Sequence, residues 1–225
     1  MIKIEKPETY GWEAAIRGMR NPMNSWDKSD SFVCKECYGG LCKYGFDGDC
    51  PVTENNDFVI GSNDLALMKK LCKAGTDHRK FMRMITVYVD VTAPLYWWKE
   101  YDTYKVGTVA NSCSTMHKIH SRKLTLHDFS TEYLEPDAKD VLMCVIDTLN
   151  ALREYYCDFK SKSDWYQMIQ LLPSSYNQKR TLMLNYEILA NIYKSRKNHK
   201  LDEWHTFCEW IETLPYSELI TGKEN

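Results

Sequence analysis

The chain has 225 residues, enough to bury a sizeable core as one domain, or as one domain with decorations. Its formal charge of -2 gives no electrostatic case for a nucleic-acid-binding surface. No apolar run approaches the roughly 18 residues of a membrane span, and no signal-peptide pattern opens the sequence, so a soluble, cytoplasmic protein with no membrane or nucleic-acid partner is expected.

Residues 1–31 are mixed, with a short helix predicted over Trp12–Met19. Residues 32–56 are rich in glycine and cysteine and poor in periodicity, which predicts an irregular insertion within a single domain spanning 1–225. Inside it, Cys34, Cys37, Cys42 and Cys50 begin with a C-x2-C step, the usual first half of a structural zinc site. The alternative is a loop of reduced thiols, in keeping with an odd total of nine cysteines, several of them in helical patterns.

Ser62 or Asn63 is placed to cap a helix that carries Leu65, Met68, Leu71 and Cys72 on one face and ends at Gly75. From Met84 to Val91, Ile85, Val87, Val89 and Val91 alternate with Met84, Thr86, Tyr88 and Asp90, the period-two pattern of a strand with one dry face. Pro94 stops that strand and can occupy the first position of a helix. Beyond it, Trp97, Tyr101 and Tyr104 recur at helical spacing, so they can share one face as a core stripe. A turn-rich stretch covers Gly107 to Ser114, and residues 115–135 follow no single period.

Helix dominates the second half. Ala138–Tyr156 carries a stripe of Val141, Cys144, Val145, Thr148, Leu149, Leu152 and Tyr156; Trp165–Leu172 ends at Pro173; Leu184–Arg196 and Leu201–Leu214 are parted by a polar break. His117 and His120 stand three apart, as if on one helix face, with His127 beyond; without an intervening glutamate they predict a solvated face and no metal site. On Leu184–Arg196, residues Asn185, Ile188, Ile192 and Arg196 follow helical spacing with Asn191 on the flank. Two amides and a guanidinium along one side can read a nucleobase edge or a flavin ring, or can simply form a solvent-facing polar stripe.

From about Gly75 to Met116, and again from Leu172 to Pro215, the sequence resembles the flavin-dependent thymidylate synthases (the ThyX family). Asp77-His78 stands where the family has Gly-His before a strand, and Ala93-Pro94 closes that strand. Lys99-Glu100-Tyr101 replaces Arg-Gln-Trp, Thr103-Tyr104-Lys105 replaces Arg-His-Arg, Thr108 takes the place of the first serine and Cys113 that of a later one. Leu172-Pro173 precedes Asn185 by the family's distance, Asn191 matches a second helix asparagine, and Ser195-Arg196 stands for Leu-Arg. The family's phosphate-binding arginines fall at Thr115 and Ile169, and an arginine near the flavin falls at Glu187.

The resemblance implies an α/β (α+β) fold, a short antiparallel sheet flanked by helices. It implies a homotetramer that holds FAD and uses NADPH and methylene-tetrahydrofolate to methylate dUMP to dTMP. It implies His78, Lys105, Asn185 and Asn191 as FAD-binding residues, Glu100, Thr108, Cys113 and Arg196 as substrate-binding residues, and Arg196 as the residue that polarises the pyrimidine. Two alternatives stay open: a changed nucleotide substrate, or a non-catalytic binding protein on the same scaffold.

Overall fold

The computed structural model describes residues 2–34, 37–38, 41–42 and 58–223. The fold mixes helices with a small antiparallel sheet, as the resemblance implied. The four strands β1 (Lys3–Tyr10), β6 (Thr86–Pro94), β7 (Val109–Ser112) and β8 (Asn177–Asn185) form one sheet in the order β1-β6-β8-β7. Two small hairpin-like pairings accompany it: β2 (Phe32–Val33) with β5 (Phe58–Val59), and β3 (Cys37–Tyr38) with β4 (Leu41–Cys42). The helices are α1 (Trp12–Arg20), α2 (Ser62–Lys73), α3 (Leu95–Tyr101), α4 (Pro136–Phe159), α5 (Lys162–Leu171), α6 (Tyr186–Arg196), α7 (Asp202–Glu212) and α8 (Glu218–Thr221). None is long and apolar enough to cross a membrane. The alternation read from Met84 to Val91 is realised: Ile85, Val87, Val89 and Val91 are buried.

The chain forms two compact units: Met1–Glu5 with Asp90–Thr103 and Ala110–Thr181, and Lys6–Val89 with Tyr104–Val109 and Leu182–Asn225. In the first, Trp97, Trp98 and Tyr101 on α3 are all buried, so core packing accounts for the aromatic stripe up to the helix end. Trp98 donates its indole N–H to the Gln178 carbonyl at 2.9 Å, and the Arg180 guanidinium lies 4.2 Å over its ring while bonding Asp102. Pro94 is the residue before α3, not its first turn; the leading N–H groups of Leu95 and Tyr96 go to the carbonyls of Tyr176 and Ser174.

The α4–α5 hairpin packs Leu142, Ile146, Leu149 and Met168 with Ile119, Leu124 and Phe129. The predicted stripe on α4 is displaced: Val141 and Cys144 face solvent. The buried face includes the polar Asn150, whose amide accepts from the Leu124 N–H at 2.8 Å and donates to the Leu124 carbonyl at 2.9 Å. A polar residue that braces a neighbouring loop breaks the apolar period on the face that is in fact buried. His117 and His120 share no helix; Ile119–Ser121 is a single 3₁₀ turn, and the His120 ring packs edge-on against Tyr156.

In the second unit, Trp12 packs edge-on against Tyr186 and Tyr216, with ring centroids 5.1 and 5.3 Å away. Gly11 turns the chain into α1 with φ +93°, and a Cβ there would meet the Met84 carbonyl oxygen. Neither Ser62 nor Asn63 caps α2. The Asp30 carboxylate does so from outside the helix, accepting from the N–H groups of Asn63 and Asp64 at 2.9 and 3.1 Å.

Asp64 is fully buried on α2. It takes the Arg20 Nε–H at 2.6 Å, the hydroxyls of Ser29 and Ser31, and the backbone N–H groups of Asp30 and Ser31. Arg20 spends its remaining donors on Ser25 and the Lys28 carbonyl. One carboxylate thus ties α1, α2 and the loop between Ser25 and Ser31. Burial pushes the Asp64 pKa up, but the hydrogen bonds from Ser31, Ser29 and Arg20 outweigh it and hold the carboxyl below its ordinary value.

A folded-state pKa below the unfolded one contributes stability that is complete above the unfolded value and is lost as pH falls through the folded value. Asp64→Asn is therefore expected to cost about 3–5 kcal/mol near pH 7, the range for removing one member of a buried ion pair. The gap from the natural protein should narrow as pH drops below about 4. Urea titrations of both proteins across that range measure it.

Candidate functional site

The second unit holds most of the residues to which the sequence points. Asn185 ends β8 and caps α6: its side-chain Oδ1 accepts the Ile188 N–H at 3.0 Å. The predicted helix over Leu184–Arg196 is thus a strand end followed by a helix, and Asn185 stands at the junction. This sets the phase of α6, and with it the directions of Glu187, Asn191 and Arg196.

The segment Tyr104–Val109 lies against the first turn of α6. Gly107 sits at φ +77°, and a Cβ there would come 3.1 Å from Ile188 Cδ1 and 3.5 Å from Asn185 Nδ2. Thr108 closes the turn by donating its hydroxyl to the Tyr104 carbonyl at 2.7 Å. Tyr104 lies beyond the end of α3 and does not continue its stripe. Its hydroxyl accepts the Arg196 Nε–H at 3.0 Å, and the guanidinium sits 4.8 Å from the Trp204 ring centroid and 5.6 Å from that of Tyr104. Two aromatic faces and a phenol oxygen therefore hold the half-buried Arg196 head in place.

Two residues beyond Asn185, Glu187 is buried with Arg79 Nε at 3.2 Å from its Oε1 and Arg83 Nε at 3.8 Å from its Oε2. Arg79 also donates from Nη2 to the Asn191 Oδ1 at 3.1 Å. The carboxylate at a position where the resemblance implies an arginine is thus compensated from the 3₁₀ turn Arg79–Arg83. Its Oε2 still makes no hydrogen bond among the described residues. His78 precedes that turn with an exposed side chain, and Lys105 is exposed on the Tyr104–Val109 segment.

Glu100 and Cys113 belong to the first unit. Glu100 is half-buried near the end of α3. Cys113 is exposed; its backbone N–H goes to the Lys179 carbonyl at 2.9 Å, and its own carbonyl accepts from Gln178 Nε2 at 2.7 Å. The stretch predicted as turn-rich, Gly107 to Ser114, contains strand β7.

Of the four cysteines read as zinc ligands, Cys34 is a buried thiol, and Cys37 stands opposite Cys42 in the β3–β4 register. Cys50, like the side chains of Cys37 and Cys42, lies outside the described residues. Among the described residues no group of three or more metal-ligating side chains assembles.

Solved structures share this architecture. A flavin-dependent thymidylate synthase ThyX from Helicobacter pylori, complexed with FAD and dUMP, superposes with TM-score 0.64 over 98% of this chain and 96% of that one, at 14% identity. The fold is that of the flavin-dependent thymidylate synthases. A second Helicobacter pylori ThyX structure with FAD and dUMP gives the same score and identity over 98% of this chain and 97% of that chain. A UMP/dUMP methylase, PolB from Streptomyces cacaoi bound with 5-Br dUMP, gives TM-score 0.58 at 13% identity over 99% and 94%. No protein-family model and no curated protein matches the chain.

Sequence reasoning did not single out Arg79 or Trp204, which contact Glu187, Asn191 and Arg196, and gave Tyr104 no contact with Arg196. Arg79 directly follows His78 and was within reach. Tyr104 looked like part of a helical stripe, and Trp204 lies on α7, with no local signal linking it to Arg196.

If Arg79 compensates Glu187, Arg79→Ala should destabilise the protein by about 3–5 kcal/mol, because it strands a buried carboxylate. The double variant Arg79→Ala with Glu187→Leu should recover a large part of that loss. Chemical denaturation of the natural protein, both single variants and the double variant gives the coupling directly.

Proposed function

We propose that the chain is a flavin-dependent enzyme acting on a pyrimidine nucleotide, with thymidylate synthesis as its leading activity: dUMP to dTMP, with methylene-tetrahydrofolate as the carbon donor and NADPH as reductant. The observation that most supports it is Arg196, presented by α6 between Tyr104 and Trp204. The homotetramer that the resemblance implies, with sites built between subunits, belongs to the same proposal.

The donor set suits FAD. The Asn185 oxygen is committed to its cap and the Asn191 oxygen to Arg79, which leaves each amide to present its Nδ2 donors to carbonyl and ring-nitrogen acceptors. Lys105 and the Arg79–Arg83 turn bring positive charge for a diphosphate, and His78 stands beside that turn. Bound flavin supplies the redox chemistry; the protein supplies orientation and electrostatics.

Asn185 and Asn191 would hold the ring edge, with Lys105 and His78 closing on the rest of the cofactor. Arg196 would face a pyrimidine carbonyl and stabilise negative charge on the base as carbon 5 becomes nucleophilic. Tyr104 and Trp204 would fix the guanidinium plane before substrate arrives, so that no reorganisation is needed during the reaction. Thr108 would complete the substrate contacts within that unit.

A changed pyrimidine nucleotide is the second reading. It is favoured by the neutral Thr115 and Ile169 at positions where the resemblance implies phosphate arginines, and by the likeness to a UMP/dUMP methylase.

Arg196→Ala is expected to lower nucleotide turnover by roughly 100- to 1,000-fold while leaving flavin content near that of the natural protein. Arg196→Lys should also be impaired, since it keeps the charge and loses the planar fork. Asn185→Ala should instead lower flavin occupancy. Turnover assays with dUMP and UMP, paired with flavin absorbance, read all of these outcomes. Unchanged turnover in Arg196→Ala would remove the assignment, and turnover of UMP alone would select the second reading.

A further inference from the structure

The second unit contains a cavity of about 240 Å³ that shares Arg79, but neither asparagine nor Arg196, with the proposed flavin and nucleotide site. It lies among the C-terminal turn of α2, the last turns of α6, and α8 with the residues that follow it. At 100° per residue, Lys194 points about half a turn away from Ile192 and Arg196, so the cavity opens on another side of α6 from the Arg196 face. Among the described residues six cations line it, Lys69, Lys73, Arg79, Lys194, Lys197 and Lys223, and Glu218 is the one carboxylate.

The pairing leaves an excess of positive charge. Lys69 lies 3.4 Å from Glu218, Lys223 bonds Glu212 at 2.6 Å, and Arg79 is held by Glu187. Lys194 and Lys197 pair with no carboxylate among the described residues; Lys197 sits 5.8 Å over the Tyr193 ring. The C-termini of α2 and α6 contribute roughly half a negative charge each, which these two lysines more than offset. Cys72, also in the lining, adds no negative charge, because burial pushes its thiol up to about 11.

We propose that this cavity binds a small phosphate-bearing anion, held by Lys194 and Lys197 with Lys69, Lys73 and Lys223 around it. Ammonium groups bind phosphate as point charges and need no planar fork. The volume falls below the roughly 300–1,000 Å³ typical of pockets for drug-sized ligands, so a compact anion fits the space better than a whole dinucleotide. The phosphoryl group could arrive as a free inorganic anion or at the end of a small organic phosphate.

Isothermal titration of the full chain with inorganic pyrophosphate and with ribose 5-phosphate tests this. At least one probe should bind, and Lys194→Ala with Lys197→Ala should weaken it at least tenfold while the circular dichroism and melting temperature stay near those of the natural protein. The double arginine replacement, Lys194→Arg with Lys197→Arg, should retain binding. Arg196→Ala should leave the affinity unchanged, which separates this cavity from the proposed nucleotide site. Tighter binding of pyrophosphate assigns the free anion, and tighter binding of ribose 5-phosphate an organic one. Absence of binding by both probes, equal affinity in the double alanine variant, or loss of binding in Arg196→Ala would overturn the proposal.

Discussion

The candidate site depends on one hydrogen bond at a change of structure. At Asn185 the chain stops being a strand and becomes a helix, and the side-chain amide accepts the Ile188 N–H that would otherwise have no partner. The cap fixes where α6 begins. With 100° between successive residues, it thereby fixes that Glu187 and Asn191 meet Arg79 while Arg196 meets Tyr104 and Trp204. A helix begun one residue earlier or later would rotate all three away from these partners.

The electrostatics around α6 follow from that phase. A carboxylate at Glu187 stands where the resemblance implies a guanidinium, which alone would repel a diphosphate. Arg79 and Arg83 reverse the local balance, and Arg79 in addition orients Asn191. A site can thus keep its net character after losing a signature residue, provided a neighbouring turn supplies the charge. In the Thr103-Tyr104-Lys105 replacement, Tyr104 stands where the resemblance has a histidine, and its hydroxyl holds the Arg196 guanidinium.

How much of this was legible in the sequence depended on whether a signal was local. The dry face of β6 was readable because Ile85, Val87, Val89 and Val91 are apolar without exception and their partners largely are not. Strand β8 was not, because its first five residues, Asn177 to Thr181, are polar and only Leu182 and Leu184 mark the alternation before α6 takes over. On α4 the apolar Val141 and Cys144 faced solvent while Asn150 went inside, bonded to Leu124, which displaced the apparent stripe. The cap of α2 from Asp30 and the pairing of Arg20 with Asp64 join residues far apart in the chain, and no local window contains both members. The asparagines and Arg196 were found by spacing and resemblance, whereas their partners Arg79 and Trp204 come from other elements.

On the reading proposed above, α6 and the Tyr104–Val109 segment form a flavin and pyrimidine site. An equilibrium titration of the purified chain with FAD, followed by addition of dUMP to the flavin-loaded protein, tests it most directly. Saturable FAD binding with a perturbed flavin absorbance is expected, with a second saturable change when dUMP stacks on the ring. A chain that binds neither FAD nor dUMP, with its native circular dichroism intact, would contradict it.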